Sequence, residues 1–178
     1  MYVWIGCKLP EELEAALRRQ CLKWNETIGL DTAAFALPQH ISLKISFPTH
    51  RIDEVLNFLD GYLSRQRPFD VKLLPPQREG NVLWLPVAEN DVLQQLHRQL
   101  DQLLQQHFGI GQHRFDKCFQ FHSTLFLDTD ASKLEQMEKA LSSLPVPGKQ
   151  QIDTFLLGTS ETGTPGSYCV VRQICVSQ

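Results

Sequence analysis

Strand-like and helix-like patterns follow one another twice in the same order along this chain, offset by about 80 residues. In the first half, Tyr2 to Lys8 reads as a strand, and Pro10 opens a helix to about residue 27. Its first turn holds Glu11, Glu12 and Glu14, as the helix dipole favours, and its apolar stripe is Leu13, Leu17, Cys21 and Trp24. Residues 39–47 alternate polar and apolar, the mark of a strand with one buried face. Thr49 caps a second helix with the stripe Ile52, Val55, Leu56, Leu59 and Leu63, and Phe69 to Leu74 is a further strand.

The second half repeats this order. Asn81 to Ala88 is a strand, and Asn90 caps a helix carrying Leu93, Leu96, Leu100 and Leu103 that ends at Gly109 and Gly111. Cys118 to Leu127 is an alternating strand, Asp130 or Ser132 starts a helix with Leu134, Met137 and Leu141, and Gln151 to Leu157 is a strand. After a Gly/Thr/Ser loop at 158–167, Tyr168 to Val176 closes the chain. A repeat this long is a duplicated lobe rather than a solenoid unit. The expected organisation is a single bilobal domain over residues 1–178. Its β-α-β-α-β lobes lie at about 1–75 and 81–158, with a last strand at about 168–176 and Pro75 to Gly80 as the connection.

The duplication gives weight to two short strings. His40-Ile-Ser42 and His122-Ser-Thr124 lie 82 residues apart, at matching places on the strand between the two helices of each half. Serine and threonine make up roughly one residue in nine, so six histidines produce one H-x-[ST] by chance; the matching positions are what exceed chance. Strand alternation puts His40, Ser42 and Lys44 on one face of the first strand, and His122, Thr124 and Phe126 on one face of the second. Two such strands meeting in one cleft present two imidazoles and two hydroxyls. One neutral imidazole can take a proton from the attacking oxygen while the other, protonated, gives one to the leaving oxygen. Ser42 and Thr124 are placed to donate to phosphate oxygens as charge builds.

Charge bounds the partner. A net charge of −3 supplies no basic field for a long polyanion, so a nucleic acid would be met as a short piece or at an end, and no long-duplex binding is expected. No apolar run approaches the roughly 20 residues of a membrane helix. The start, Met1 to Cys7, lacks the basic segment of a signal peptide. Five cysteines without C-x-x-C spacing predict reduced, mostly buried thiols and a cytoplasmic location. Neither H-E-x-x-H nor Cys/His spacing is present, so no metal and no cofactor are expected.

The two motifs, His40-Ile-Ser42-Leu and His122-Ser-Thr124-Leu inside apolar strands, resemble the paired H-x-[ST]-hydrophobic signatures of the two-histidine (2H) phosphoesterase superfamily, in particular its 2′-5′ RNA ligase-like or cyclic phosphodiesterase (LigT-like) group. The resemblance spans nearly the whole chain. It implies an α+β fold in which antiparallel sheets form a central cleft with helices outside. It also implies metal-independent action on a 2′,3′-cyclic phosphate or 2′-5′-type diester of a nucleotide or RNA end. By position it makes His40 and His122 the acid/base pair, and Ser42 and Thr124 the phosphate contacts. Two departures stand out: Ser42 occupies a place where threonine is commoner, and the run Leu125-Phe126-Leu127-Asp128 lacks an arginine often found after the second motif.

Lys44 is either a further phosphate contact or a solvated strand lysine. Tyr2, Trp4 and Tyr168 either line the cleft, where an aromatic stacks on a base, or pack in the core. His113, Arg114 and Lys117 form a flap or a plain surface loop. His50, His97 and His107 carry no functional pattern. A monomer is expected, and the rival reading is a non-catalytic RNA- or nucleotide-binding module of the same fold.

Overall fold

The computed structural model describes residues 1–145 and 148–177. The strands are β1 (Tyr2–Lys8), β2 (His40–Pro48), β3 (Phe69–Lys72), β4 (Gln77–Glu79), β5 (Val82–Pro86), β6 (His122–Leu127), β7 (Lys149–Ile152), β8 (Thr154–Ser160) and β9 (Cys169–Cys175). The helices are α1 (Glu11–Ile28), α2 (Ile52–Leu63), α3 (Asp91–Phe108) and α4 (Ala131–Leu141), with 3-10 turns at Ala33–Phe35 and Arg114–Cys118. Asn90 Oδ1 accepts the Leu93 N–H to start α3, and Gly109 ends it in the left-handed region at φ 68°. Asp130 Oδ1 accepts from Ser132 and Lys133 to start α4. The cap expected of Thr49 sits elsewhere: Arg51 is the first half-turn residue of α2, and the Thr49 hydroxyl accepts the Arg51 N–H.

The first sheet has the order β2-β1-β8-β9, all antiparallel. The second has the order β4-β5-β6, and β3 pairs with β7. Backbone bonds Leu74 N to Pro86 O and Ala88 N to Lys72 O make β3 and β4 one arm of a hairpin with β5. That hairpin corrects two expectations. The segment 75–80 does not join the lobes: Pro75 and Pro76, lacking N–H groups, interrupt the arm, and Gly80 at φ 59° turns it. The lobe limits move as well, because β3 belongs with the second half and β8 with the first. The expected strand at 151–157 breaks at Asp153, so that Ile152 pairs with Phe69 while Thr154 pairs with Cys175.

Each helix buries one stripe against the sheets: Leu17 and Cys21 from α1, Val55, Leu56, Leu59 and Leu63 from α2, Leu134, Met137 and Leu141 from α4. In α3 the stripe runs through Leu93, Leu96, His97, Leu100 and Leu104 instead of ending on Leu103. The strand expected from Cys118 begins only at His122, because Asp116 caps the preceding 3-10 turn by accepting the His113 N–H. Cys7 and Cys21 are buried, but Cys118, Cys169 and Cys175 are exposed, so most of the thiols are not buried; two of the three sit on edge strand β9. No helix among the described residues is long and apolar enough to cross a membrane.

The two motif strands bulge at the same point. In β2, Ser42 pairs with Gly6 and the next partner of β1 is Lys44, skipping Leu43. In β6, Thr124 pairs with Trp84 and the next partner is Phe126, skipping Leu125. One extra residue reverses the side-chain alternation beyond it. Phe126 therefore points into the core, and so does Lys44, which is 1% exposed. The direction expected for Lys44 from simple alternation is thus corrected: it does not share the face of His40. Its ammonium bonds to Asp116 at 2.7 Å and to Asp101.

Candidate active site

Gln39 and Ser123, the neighbours of the two motif histidines, fix how the halves meet. The buried Ser123 hydroxyl donates to Gln39 Oε1 at 2.9 Å, which sets the start of β6 against the start of β2. Asp128 accepts the Asp31 N–H and Lys133 donates to Gly29 O, tying the same halves further along.

The two imidazoles are held alike. Nδ1 of His40 lies 2.7 Å from Pro38 O, and Nδ1 of His122 lies 2.7 Å from Gln120 O. A carbonyl oxygen only accepts, so in each neutral ring Nδ1 carries the proton and Nε2 keeps its lone pair. Each ring also leans on a tryptophan: Trp4 meets His40 edge-on with centroids 4.3 Å apart, and Trp84 meets His122 at 4.1 Å, tilted by 40°. Trp4 in turn donates its Nε1–H to Ser42 Oγ at 3.0 Å. Its indole lies across Gly6 and Gly158, where a Cβ would come within 2.5 and 2.7 Å of the ring, so both positions need glycine to seat it. With one lone pair engaged by Trp4, the Ser42 hydroxyl is left to donate elsewhere.

His40, Ser42 and Thr124 line one cavity of about 260 Å³, walled by Trp4, Leu37, Leu127 and Tyr168. His122 lines a neighbouring cleft of about 410 Å³ with Trp84. Three of the four expected motif residues thus share a cavity and the fourth opens onto the adjoining one, close enough for its charge to act on His40. Tyr2 does not line the cavity; its ring packs under Gly163. Neither cavity is lined by lysine or arginine, and the residue after the second motif that reaches the first is the apolar Leu127. His113 borders a third groove with Lys44 and Arg51, away from both histidine cavities.

Burial pushes the His40 imidazole down to about 4, opposed by its bond to Pro38 O and reinforced by His122. Burial lowers His122 as well, opposed by Gln120 O. Both rings rest neutral at pH 7. For His40 the unfolded chain binds a proton near the ordinary value of about 6.5, whereas the fold refuses it until about 4. Stability is therefore complete above pH 6.5 and falls as pH drops from there to 4, by roughly 3 kcal/mol. Urea midpoints of wild type and His40→Gln measured from pH 7 to 5 check this: the wild type should lose more. Parallel curves would show that His40 does not carry the loss.

His97, without pattern in the sequence, is buried between the halves, its Nδ1 2.7 Å from Leu43 O and its Nε2 3.0 Å from Asp116 O. With Asp101 and Asp116 it makes a trio spaced like metal ligands, but the Lys44 ammonium already sits on both carboxylates. What sequence reading missed around the histidines is chiefly Trp84, Leu37 and Leu127. Only Trp84 had a signal: it follows Trp4 at the repeat offset of about 80 residues, in the strand before the third helix.

Two antiparallel sheets with helices outside, each sheet offering one histidine and one hydroxyl from a bulged strand, define a duplicated α+β scaffold of the two-histidine type. The family model of the 2′-5′ RNA ligase superfamily matches residues 9–164, and the chain belongs to that superfamily. Among solved structures it is similar to the TT0787 protein of Thermus thermophilus, at 21% identity and TM-score 0.67, covering 98% of this chain and 97% of that one. It is similar also to E. coli LigT complexed with 3′-AMP, at 21% identity and TM-score 0.64, covering 99% and 98%. LigT complexed with NADP+ gives 21% identity and TM-score 0.63, covering 99% and 97%. At this identity the likeness speaks for the fold. No curated protein matches the sequence.

Proposed function

We propose that this protein is a metal-independent phosphoesterase that opens a 2′,3′-cyclic phosphate or cleaves a 2′-5′-type diester of a nucleotide or RNA end, with His40 and His122 as the acid/base pair. The observation that carries this is the matched tethering of both rings by Nδ1, which leaves two Nε2 atoms for proton transfer. Water attacks phosphorus and gives its proton to the neutral Nε2 of one histidine. The other histidine, neutral in the free protein, takes up a proton from solvent as the anionic phosphate binds beside it, and gives that proton to the leaving oxygen as the P–O bond breaks. Ser42 and Thr124 donate to the non-bridging oxygens. The adenine nucleotide in the LigT complex supports a nucleotide ester as substrate.

The test is a panel of 2′,3′-cyclic nucleotides, 2′-5′ dinucleotides and RNA with cyclic ends, assayed with and without EDTA. Turnover that survives EDTA is expected. Binding without product on long incubation would make the protein a nucleotide-binding module, and chelator-sensitive turnover would make it a metal enzyme. We propose a cytoplasmic site of action, in keeping with small nucleotide substrates.

Trp4 enters this mechanism through Ser42. Trp4→Phe keeps an aromatic ring beside His40 but removes the N–H, and should lower kcat about tenfold. In a Ser42→Ala background the same change should cost almost nothing further. Equal losses in both backgrounds would mean that Trp4 acts by packing alone.

A further inference from the structure

The cleft beside His122 differs in chemistry from the cavity around His40. It lies between β4, β5, β6 and the start of α3, and Gln77, Glu89, Gln94 and Gln120 reach it. None of these four side chains bonds to another protein group among the described residues; Asn90, on the same rim, is already committed to capping α3 and to Asp70 O. Trp84 and Phe121 add aromatic side chains to the lining. Beyond His122, the only ionisable group in the lining is the carboxylate of Glu89, so the cleft away from that ring offers an anion no partner. Three uncommitted amides, a carboxylate acceptor and aromatic faces match an uncharged heterocycle with donors and acceptors on its edge. The cavity on the His40 side, by contrast, is largely apolar around its three hydroxyls, those of Ser42, Thr124 and Tyr168.

We propose that the amide-lined cleft is a nucleoside subsite holding the base and ribose esterified to the phosphate on the His122 side. The preferred substrate is then a diester with a nucleoside on each side of the phosphorus, not a cyclic mononucleotide that fills only one cavity. This rests on the functional reading above. Gln94, half-buried at the start of α3, and Gln120, exposed two residues before His122, are its specificity-determining residues.

The experiment compares wild type, Gln94→Leu and Gln120→Leu on adenylyl-(2′→5′)-adenosine and on adenosine 2′,3′-cyclic phosphate. Each variant should raise KM for the dinucleotide about tenfold with little change in kcat, and leave KM for the cyclic ester within about twofold. An equal change on both substrates, or none on the dinucleotide, overturns the subsite. Gln120 is exposed, so its variant stays informative if Gln94→Leu folds poorly. Should wild type turn over neither ester, the functional reading fails by itself, and calorimetric titration with adenosine and guanosine then decides the subsite. Binding lost in Gln94→Leu or Gln120→Leu supports it; absent binding, or binding that both variants retain, overturns it.

Discussion

Replacing either His40 or His122 by alanine should lower turnover by about 10²–10⁴-fold, with the double variant scarcely worse than the weaker single one. The size follows from the role proposed for each ring. With both Nδ1 atoms tied to backbone carbonyls, each Nε2 is the only titratable atom its motif offers to the substrate. Removing the base leaves water to attack unaided, and removing the acid makes the leaving oxygen depart as an anion. In the proposed mechanism both protons move in one displacement, so the losses should not add. Circular dichroism in the tryptophan region checks the fold of each variant, since Trp4 and Trp84 pack on the two rings. Full turnover by His122→Ala on a substrate the wild type cleaves would sink the mechanism. A large loss in one variant only would leave a single-histidine mechanism with a different second proton carrier.

How much of this was legible in the sequence depends on how local the cause was. The helices were, because their stripes and the caps at Asn90 and Asp130 are written within a few residues. The matching places of His40 and His122, each at the start of its motif strand, were too, because duplication sets them without any knowledge of contacts. The direction of Lys44 was not. It is set by the bulge at Leu43, and that bulge exists in the pairing of β2 with β1, 36 residues away at Ser42 and Gly6. Alternation within a strand assumes an unbroken ladder, and nothing in His40 to Phe47 marks the break. The exchange of β3 and β8 between halves was hidden for the same reason. Asp153 looks like any polar residue in an alternating run, and only the partners on either side show that the chain changes sheets there.

Lys44 also gives the largest expected effect on stability. Its ammonium is 1% exposed, the Asp116 side chain is fully buried, and Asp101 is 10% exposed. Asp116 additionally accepts the N–H groups of Ile45 and His113. Burial by itself would raise the Asp116 carboxyl, but the bond from Lys44, the two backbone bonds and the Lys44 charge together carry it below the ordinary carboxylate range. Lys44→Met fills most of the same volume yet leaves two carboxylates without their cation, and should destabilise the fold by about 3–5 kcal/mol. Adding Asp101→Asn and Asp116→Asn to that variant should recover much of the loss, because no uncompensated charge then stays buried. Urea unfolding of the single and triple variants measures both steps. A phosphate contact would behave in the opposite way: Lys44→Met would keep its unfolding midpoint and raise KM. The clasp also bears on turnover, since Asp116 grips the Ile45 N–H and His97 the Leu43 carbonyl, the two residues that flank Lys44 beside the bulge. Ser42 sits one residue before that bulge and His40 three, so a loosened clasp should lower kcat in any Lys44 variant that still folds, and the triple variant should regain stability without regaining all of its rate.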